Sequence, residues 1–591
     1  MNKLFCFSLG ALLAVTISAA GQGSWLEASN VTGSGDIIVT KMAIDNNNDI
    51  FISGWFNNEI VADVGTVTSA GNYDIFLMKI NSDGSHAWIK SFGGTSPDLP
   101  GNVVIGPDQT IYVSGSVNGT IFFDAITSIV TQAADAFLAN YNSDGTLNWV
   151  RNVAGGPFNQ RAEAMAIDEN RVVLAGLARD SVIYEDERVG YAGLFTHISS
   201  FDLNGNHLDD NIIGFKDVGL PTSIASTPDG FVISGYFRDS LFLDIDSVYN
   251  ASSSPSSDIY LYKTDKNLNG QWIRRTASTS GENVGYNVKA DNTDGIYLVG
   301  KISGTTIEID STADEKLTVA MDESDEYFLI KYTNTSGTLE WYDIDGSNRN
   351  DALYGTLVLP DRIISTGLYL SDFAFKDDTL KNNPRTKEIF ITEHDLEGNL
   401  LHARDAFSSP EKASDQGYQI AQNQNGDILV TGVYRSEFVN FEDSVLTNAV
   451  AGDANIFIAQ YGCKNDGNLA TASNDFLCYN DGSSELTLTA DGGFTNMHYR
   501  YAYKAYLDNG EEGDTVRFDG DTTINGIGAG IWNITVYDNA NCLIGTSQEV
   551  IIEPDSLEYA YEVAHPDCFG AATGSISITR SGGTEAYQYS V

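Results

Sequence analysis

Two short segments of the chain repeat the same order of residues, with amide and carboxylate side chains, then a glycine, then a tryptophan. YNSDGTLNW covers residues 141–149, and INSDGSHAW covers residues 80–88. A third segment, DKNLNG at residues 265–270, begins like a calcium-binding EF-hand loop. Carboxylate and amide oxygens are ligands for Ca²⁺, so weak binding of Ca²⁺ in these acidic turns is a hypothesis that the sequence leaves open.

The metal and catalytic interpretations of these segments lack residues that they require. Position twelve of the loop that begins at Asp265 should be a bidentate Glu, but it is Thr276. The Asp-box of sialidases separates Asp from Gly by one residue, whereas Asp144 and Gly145 are adjacent. Quinone-dependent dehydrogenases share the Gly-to-Trp spacing, but no cofactor-binding groups accompany it here. Asn or Asp before Gly between two apolar runs favours a type I′ hairpin turn, which needs positive φ, so we predict turns.

Other chemistry-bearing residues form no recognisable motif. Zinc-type spacing of histidine and cysteine, a G-x-S-x-G elbow and a P-loop are all absent from the sequence. Carboxylates are so abundant that the sequence ranks no pair of them as an acid and base. We therefore predict no catalytic, cofactor-binding or metal-binding residue, and the centre of the fold is the default place for a small ligand. The seven histidines are scattered at positions 86, 197, 207, 394, 402, 498 and 565.

A repeat of about sixty residues organises the first three quarters of the chain. Seven apolar runs end in a small residue and a glycine, at intervals of 59 to 67 residues. Each unit reads as four strands, and its third strand is a continuous apolar run such as DIFLMKI or DAFLANY, typical of a strand covered on both faces. The pattern predicts an all-β fold, a seven-bladed β-propeller. The seven glycines are Gly54, Gly115, Gly176, Gly235, Gly300, Gly367 and Gly432.

Tryptophans mark the fourth strands and indicate how the ring closes. The seventh unit has no tryptophan after it, while an additional one, Trp25, precedes the first unit. We predict that the strand near Trp25 completes the last blade, with KNDGNLAT after Cys463 as the weaker alternative. Large aromatic side chains at these positions are expected to pack one blade on the next. The predicted blade anchors are Trp25, Trp88, Trp149, Trp272 and Trp341.

The repeats resemble a known bacterial family. DIFLMKINSDGSHAWIKSFGG and DAFLANYNSDGTLNWVRNVAGG are similar to the bacterial beta-propeller repeat called SBBP, over roughly residues 25–462. This resemblance implies a propeller fold and an extracellular setting, and it implies no defined reaction.

Charge and the N-terminal segment predict where the protein works. Residues 1–20 carry one lysine, an apolar run and small residues, which is typical of a secretory signal peptide, so we assign the mature propeller to residues 21–463. The formal net charge of −47 disfavours binding to nucleic acid or to anionic lipid, and the apolar run is short for a membrane span. We expect an exported, cell-surface or extracellular protein with a monomeric propeller and no membrane insertion.

The last fifth of the chain contains all the cysteines except Cys6 and has a different pattern. Short alternating strands with Gly and Asn turns predict an Ig-like β-sandwich at residues 464–555. GAGIWNITVYD, followed by Cys542, resembles the SprB-type repeat of gliding-bacterial adhesins, and this resemblance implies a disulfide between Cys478 and Cys542. DCFGAATGSISITRSGGT resembles the start of a second SprB-like repeat, truncated at residues 556–591. The partners of Cys463 and Cys568 stay open.

These patterns predict a non-enzymatic adhesion or binding protein, with an extracellular glycan or another surface protein as its partner. The step to function comes from family and architecture rather than from a site. The alternative is a propeller enzyme or ligand-binding protein that acts on extracellular polysaccharide, with the sandwiches as accessory modules. Clustered acidic, arginine and tyrosine side chains at one mouth of the tunnel would favour the enzyme.

Overall fold

The computed structural model describes residues 23–590 with several internal gaps. The signal peptide predicted at residues 1–20 lies outside the described residues. Within the described part, every named element is a β-strand, and no helix is long and apolar enough to cross a membrane. The gaps are 185–186, 191–192, 244, 246, 250–255, 311, 313, 322–324, 348, 376–377, 383–385, 410–413, 443, 464–466, 493–500, 508–515, 519, 539–541 and 589.

Contacts divide the chain into two compact units, of which one is Trp25–Gly462 and the other contains Cys463–Val591. The strands up to residue 462 are β1 (Ser24–Ser34), β2 (Ile37–Ile44), β3 (Ile50–Phe56), β4 (Glu59–Ala62), β5 (Gly65–Thr68), β6 (Asp74–Ile80), β7 (His86–Phe92), β8 (Leu99–Ile105), β9 (Ile111–Phe122), β10 (Ser128–Tyr141), β11 (Leu147–Ala154), β12 (Ala164–Ile167), β13 (Arg171–Arg179), β14 (Val182–Tyr184), β15 (Glu187–Val189), β16 (Leu194–Asp202), β17 (His207–Phe215), β18 (Gly219–Thr227), β19 (Gly230–Phe237), β20 (Ser240–Phe242), β21 (Ser247–Tyr249), β22 (Asp258–Asp265), β23 (Gly270–Ser278), β24 (Val284–Ala290), β25 (Gly295–Ser303), β26 (Thr306–Asp310), β27 (Lys316–Ala320), β28 (Asp325–Thr333), β29 (Leu339–Asp345), β30 (Ala352–Val358), β31 (Ile363–Tyr369), β32 (Phe373–Phe375), β33 (Asp378–Leu380), β34 (Glu388–His394), β35 (Leu400–Ser408), β36 (Gln416–Gln422), β37 (Ile428–Tyr434), β38 (Phe438–Phe441), β39 (Ser444–Thr447) and β40 (Asn455–Gly462).

These strands form antiparallel sheets that each contain four strands in the order first, second, third, fourth. We number them sheet 1 (β2-β3-β6-β7), sheet 2 (β8-β9-β10-β11), sheet 3 (β12-β13-β16-β17), sheet 4 (β18-β19-β22-β23), sheet 5 (β24-β25-β28-β29), sheet 6 (β30-β31-β34-β35) and sheet 7 (β36-β37-β40-β1). The fourth strand of sheet 7 is therefore the N-terminal strand β1, which lies beside β40.

Hairpins connect neighbouring sheets. The hairpin β20–β21 lies between the second and third strands of sheet 4 but extends sheet 3, and β26–β27 and β38–β39 extend sheets 4 and 6 in the same way. The hairpin β4–β5 of sheet 1 pairs with β1, where Gly33 lies opposite Ile60. Each pairing supplies main-chain hydrogen bonds that hold one sheet against the next.

The first strands of the seven sheets lie side by side. Each first strand contacts the first strand of the following sheet, and β36 contacts β2. Apolar side chains fill the spaces between sheets: Phe51 and Ile75 of sheet 1, for example, share a buried cluster with Val113 and Phe137 of sheet 2. Since both faces of a sheet are covered, its third strand is buried along nearly its whole length rather than at alternate residues.

The second unit contains two sheets with one shared core and a separate hairpin. Its strands are β41 (Asn468–Asn474), β42 (Glu485–Asp491), β43 (Tyr501–Leu507), β44 (Val516–Phe518), β45 (Asp521–Asn525), β46 (Gly530–Asp538), β47 (Leu543–Ile551), β48 (Glu558–Ala564) and β49 (Ser575–Ser581). The sheets β41-β42-β45 and β44-β43-β46-β47 share a buried cluster that includes Leu488, Ile534 and Val536. The strands β48 and β49 pair only with each other among the described residues.

The disulfide implied by the SprB resemblance is wrong in its pairing. Cys542 is bonded to Cys463, with Cα atoms 5.4 Å apart, whereas Cys478 is a free, exposed thiol, as is Cys568. The segment after Cys463 runs beside the start of β47, because Gly467 lies against Ile544. Cys478 instead lies in the loop between β41 and β42. Cys542 therefore pairs with Cys463 because their segments lie side by side, and not with the cysteine that the motif spacing indicated.

Candidate functional site

The candidate site is a channel between the seven first strands. In six of these strands the register shifts by an inserted residue, and the shifts flank the same position of the repeat. One residue from each sheet, at this position, lines a chamber of about 280 Å³. We call these residues the channel ring: Thr40, Gly101, Glu163, Thr222, Tyr286, Tyr354 and Tyr418.

Three tyrosines occupy consecutive sheets on one side of the channel ring, and we call them the tyrosine arc. The ring centroids of Tyr286 and Tyr354 are 4.7 Å apart, and those of Tyr354 and Tyr418 are 5.2 Å apart. Burial raises the pKa of Tyr286 and of Tyr418 to about 12 and that of Tyr354 well above its usual value. The arc is thus a neutral aromatic surface at physiological pH that can pack against a ring or an apolar face.

The opposite side of the channel ring is smaller and polar. Thr40, Gly101 and Thr222 leave room in front of the tyrosine arc, and Glu163 adds one carboxyl. Burial raises the pKa of Glu163, while Arg161, with its Nη1 3.5 Å from Oε1, opposes the rise. The space therefore has an aromatic wall facing small and hydrogen-bonding side chains.

A second chamber of about 280 Å³ lies along the same strands and contains two lysines. Lys41 of β2 and Lys289 of β24 line it, together with the buried amides of Asn102 and Asn287. Burial, with a smaller contribution from the positive charge of Lys289, lowers the pKa of Lys41 to about 8. Lys289 is exposed to solvent, and partial desolvation by the surrounding strands lowers its pKa as well. No described carboxylate lies within ion-pair distance of either ammonium group, although the chain has 80 acidic residues.

The Asn-Ser-Asp-Gly segments are turns, but not of the predicted type I′. Asn81 N donates to Ser85 O at 2.8 Å, and Gly84 N donates to Asn81 O at 2.9 Å. Only Gly84, with φ of +84°, has a left-handed conformation in this described segment. One left-handed glycine with two such bonds is the pattern of a three-residue loop with a glycine bulge, whereas type I′ needs two left-handed residues. The Asp83 carboxylate accepts from Ser85 N, which fixes the loop.

The glycine of four of these turns also has a packing role that the sequence did not reveal. The Trp88 ring lies against Gly145 of the next sheet, and its Nε1 donates to Ser143 O at 3.1 Å. Trp272 lies against Gly337 in the same way and donates to Asn334 O at 2.9 Å. A side chain on the glycine would collide with the indole ring. Glycine and tryptophan therefore recur because they contact each other between neighbouring repeats. The other two pairs are Trp149 with Gly205 and Trp341 with Gly398.

Trp25 differs from the four other predicted anchors. It is fully buried beside Phe441 and Tyr461, and its Nε1 donates to Asp405 O of sheet 6 at 2.7 Å. Trp25 thus packs between sheets 6 and 7, on the face of β1 that is directed towards sheet 6 rather than towards sheet 1. The junction between sheet 7 and sheet 1 has no tryptophan from β1.

Metal chemistry receives no support from the acidic turns. Asp265 Oδ1 accepts hydrogen bonds from the backbone N of Asn267 and of Asn269, so turn formation engages this carboxylate. Among the described residues, no group of three or more His, Cys, Asp or Glu is placed to hold a metal ion. Binding of Ca²⁺ in these turns stays an untested prediction.

A comparison with protein families finds a SprB repeat at residues 560–591. This match confirms the SprB-like repeat expected at residues 556–591. The SprB-like sandwich expected at residues 464–555 and the SBBP resemblance of residues 25–462 stay predictions. SprB repeats are typical of cell-surface adhesins. No curated protein matches the chain at a significant level.

Solved structures give distant matches. A fungal alcohol oxidase of the AA5 family in complex with copper is 11% identical and has a TM-score of 0.35, covering 90% of this chain and 99% of its own. A PL25 ulvan lyase is 9% identical with a TM-score of 0.37, covering 68% of this chain and 93% of its own. The extracellular region of plexin A4 is 9% identical with a TM-score of 0.28, covering 87% of this chain and 61% of its own. At this similarity no activity of these proteins transfers to the chain.

Proposed function

We propose that the protein is an exported, adhesin-type surface protein whose seven sheets form a seven-bladed β-propeller and bind an acidic glycan in the channel without turning it over. The cycle of contacts between first strands, from β2 to β36 and back to β2, supports the propeller. The SprB repeat at residues 560–591 supports the surface role. The N-terminal segment that resembles a signal peptide supports export.

The observation that carries this proposal is the pairing of the tyrosine arc with unneutralised lysines in one channel. The apolar C–H face of a pyranose ring can pack on aromatic rings, and sugar hydroxyls can bond to Thr40, Thr222 and the nearby amides. Lys41 and Lys289 would attract a carboxylate or sulfate group. Such attraction is selective in a protein with a net charge of −47, because most of its surface repels anions.

The channel ring favours binding over glycoside hydrolysis. Hydrolysis commonly uses two carboxyl groups on opposite sides of the scissile bond. Of the described residues that line the two chambers, Glu163 is the only one with a carboxyl group. The phenols of the tyrosine arc are protonated at neutral pH, as tyrosines ordinarily are, and burial raises the pKa of each one further.

A second function, cleavage of polysaccharide, has two observations in its favour. The channel ring brings Glu163, with Arg161 beside it, together with the tyrosine arc, and such a cluster is expected of an enzyme. Lys41, with its pKa lowered to about 8, is partly neutral in mildly alkaline solution, so its amine could act as a general base on an acidic polysaccharide. This alternative predicts chain cleavage that Lys41→Gln abolishes. The binding proposal predicts no cleavage by either protein.

A glycan array run beside a cleavage assay tests the proposal. We expect uronate-containing or sulfated glycans to bind and their neutral counterparts to bind at least about tenfold more weakly. Tyr354→Ala should weaken all ligands, Lys41→Gln should weaken acidic ligands selectively, and exposed Tyr342→Ala serves as the control. Binding that neither channel variant changes would contradict the proposal, and cleavage lost in Lys41→Gln would replace it with the enzyme.

A further inference from the structure

A cleft of about 570 Å³ lies between sheet 7 and sheet 1, away from the channel. Its floor includes Ile50, Ile80 and Ile458, and its rim includes the carboxylates of Glu27, Asp83 and Asp427. An apolar floor within an acidic rim is suited to an apolar group that carries or adjoins a positive charge.

One turn that lines the cleft has the same sequence and conformation as a turn that packs against a tryptophan elsewhere in the molecule. Residues 81–84 and 142–145 are both Asn-Ser-Asp-Gly, and both turns have the same pair of backbone hydrogen bonds. Gly84 and Gly145 have φ of +84° and +83°. Trp88 lies against Gly145, whereas no described atom lies within 4 Å of a Cβ position at Gly84. The contact surface for an indole is therefore present at Gly84 without the indole.

The spacing of β1 explains why this position is open. The tryptophans of β7 and β11 come four residues before a buried residue, Phe92 or Val153, that faces the next sheet. The corresponding buried residue of β1 is Val31, which packs with residues of sheet 1. Four residues before it is Glu27, so a carboxylate replaces the tryptophan on the strand that closes the ring.

A cation accompanies the tryptophan at three of the four comparable junctions; two residues after Trp341 is Asp343. Lys90 Nζ lies 5.9 Å from the Trp88 ring centroid, and the Arg151 guanidinium lies 5.3 Å from that of Trp149. Arg274 lies 5.5 Å from the Trp272 ring and also donates to Gly337 O of the neighbouring turn. In β1 the position two residues after Glu27 is Ser29, so the cation is missing there as well.

We propose that the cleft between sheets 7 and 1 binds a partner polypeptide through a tryptophan side chain followed two residues later by lysine or arginine. The indole would lie against Gly84, and its N–H would donate to the carbonyl of Ser82, the counterpart of Ser143. The basic side chain would form ion pairs with Glu27 and Asp427. The tryptophan-bearing strands inside the protein pack without these two carboxylates. This site is separate from the proposed glycan channel and does not depend on it.

A peptide that copies the protein's own anchor strand is the direct probe. We would measure binding of HAWIKSF, the sequence of residues 86–92, to the whole protein by calorimetry, with HAAIKSF and HAWIQSF as matched peptides. The alanine peptide should lose binding, and the glutamine peptide should bind about tenfold more weakly. Absence of binding by HAWIKSF at millimolar concentration, or equal binding of all three peptides, would overturn the proposal.

Filling the cleft from within is the second test. Glu27→Trp should raise thermal stability and reduce binding of HAWIKSF at least about tenfold, because the internal indole occupies the same place. Val445→Trp, which adds a tryptophan at an exposed position of β39 in the hairpin that extends sheet 6, should leave binding unchanged. Glu27→Gln provides a variant with little risk to folding and should weaken binding by loss of charge. Unchanged binding in both Glu27 variants would contradict the proposal. Binding of HAWIKSF should be retained in Lys41→Gln, which would show that the peptide binds in the cleft and not in the channel.

Discussion

At the residue scale, tryptophan and glycine act as a pair that spans two repeats. Trp272 is 8% exposed, and its indole both covers Gly337 and donates to Asn334 O. Arg274 adds hydrogen bonds to Gly337 O and Ser336 O of the same turn. A glycine that serves as turn residue and as contact surface tolerates no side chain, whereas the remaining turn positions vary. The motif therefore reports packing between sheets rather than chemistry.

Removing one such tryptophan should destabilise the protein strongly. Trp272→Ala leaves a cavity between sheets 4 and 5 and an unpaired Asn334 carbonyl, so we expect a loss of roughly 3–5 kcal/mol in the free energy of unfolding. Equilibrium denaturation in urea measures this loss. Gln271→Ala, at the exposed neighbouring position of β23, should change stability by less than about 0.5 kcal/mol. Comparable losses for the two variants would contradict the packing role.

At the element scale, the repeat pattern predicted the second and third strands well. All seven small-Gly runs are second strands, and the apolar runs that follow them are third strands, because a strand buried on both faces has an unmistakable composition. The channel ring was not predicted, since its members share no residue type. Tyr286, Tyr354 and Tyr418 do share a position 13 or 14 residues before the small-Gly glycine, which would have placed them together. The partner of Cys542 and the turn type depend on strand adjacency and on φ, which no residue pattern records.

Carboxyl groups buried where strands of neighbouring sheets meet should make stability depend on pH. Glu388, at the start of β34, has its pKa raised to about 7 by burial, with further contributions from the charges of Asp415 and Asp405. Since the folded-state pKa exceeds the unfolded value of 4.5, the folded protein binds this proton more tightly. Its contribution to stability is therefore full below about pH 4.5 and is lost as the pH rises to about 7.

Glu388→Gln should remove this pH dependence. We expect the variant to match the parent near pH 5 and to exceed it near pH 8 by on the order of 2 kcal/mol in the free energy of unfolding. Urea denaturation at the two pH values measures the difference. Glu437→Gln, at an exposed position, is the control and should change neither value. A variant that is less stable than the parent at pH 8 would show that the Glu388 carboxylate stabilises the fold.

At the scale of the whole molecule, the N-terminal strand belongs with the last sheet of its unit. β1 lies beside β40, and the hairpin β4–β5 of sheet 1 pairs with it, so one strand joins residues separated by about four hundred positions. This arrangement couples the seven sheets, since loss of β1 would expose one edge of sheet 7 and remove Trp25 from its buried position. The second unit has its own core and its own disulfide.

The two compact units should therefore unfold independently. Calorimetry of the whole chain should show two transitions, and a reducing agent should lower only the one that belongs to the unit of residues 463–591, because Cys463–Cys542 closes a loop with a sequence separation of 79 residues. In the chain-entropy model this bond contributes roughly 4.5 kcal/mol. Cys542→Ser should reproduce the effect of reduction, Cys478→Ser should have none, and Trp25→Ala should lower only the other transition. A shift of both transitions on reduction, or an effect of Cys478→Ser equal to that of Cys542→Ser, would contradict this division.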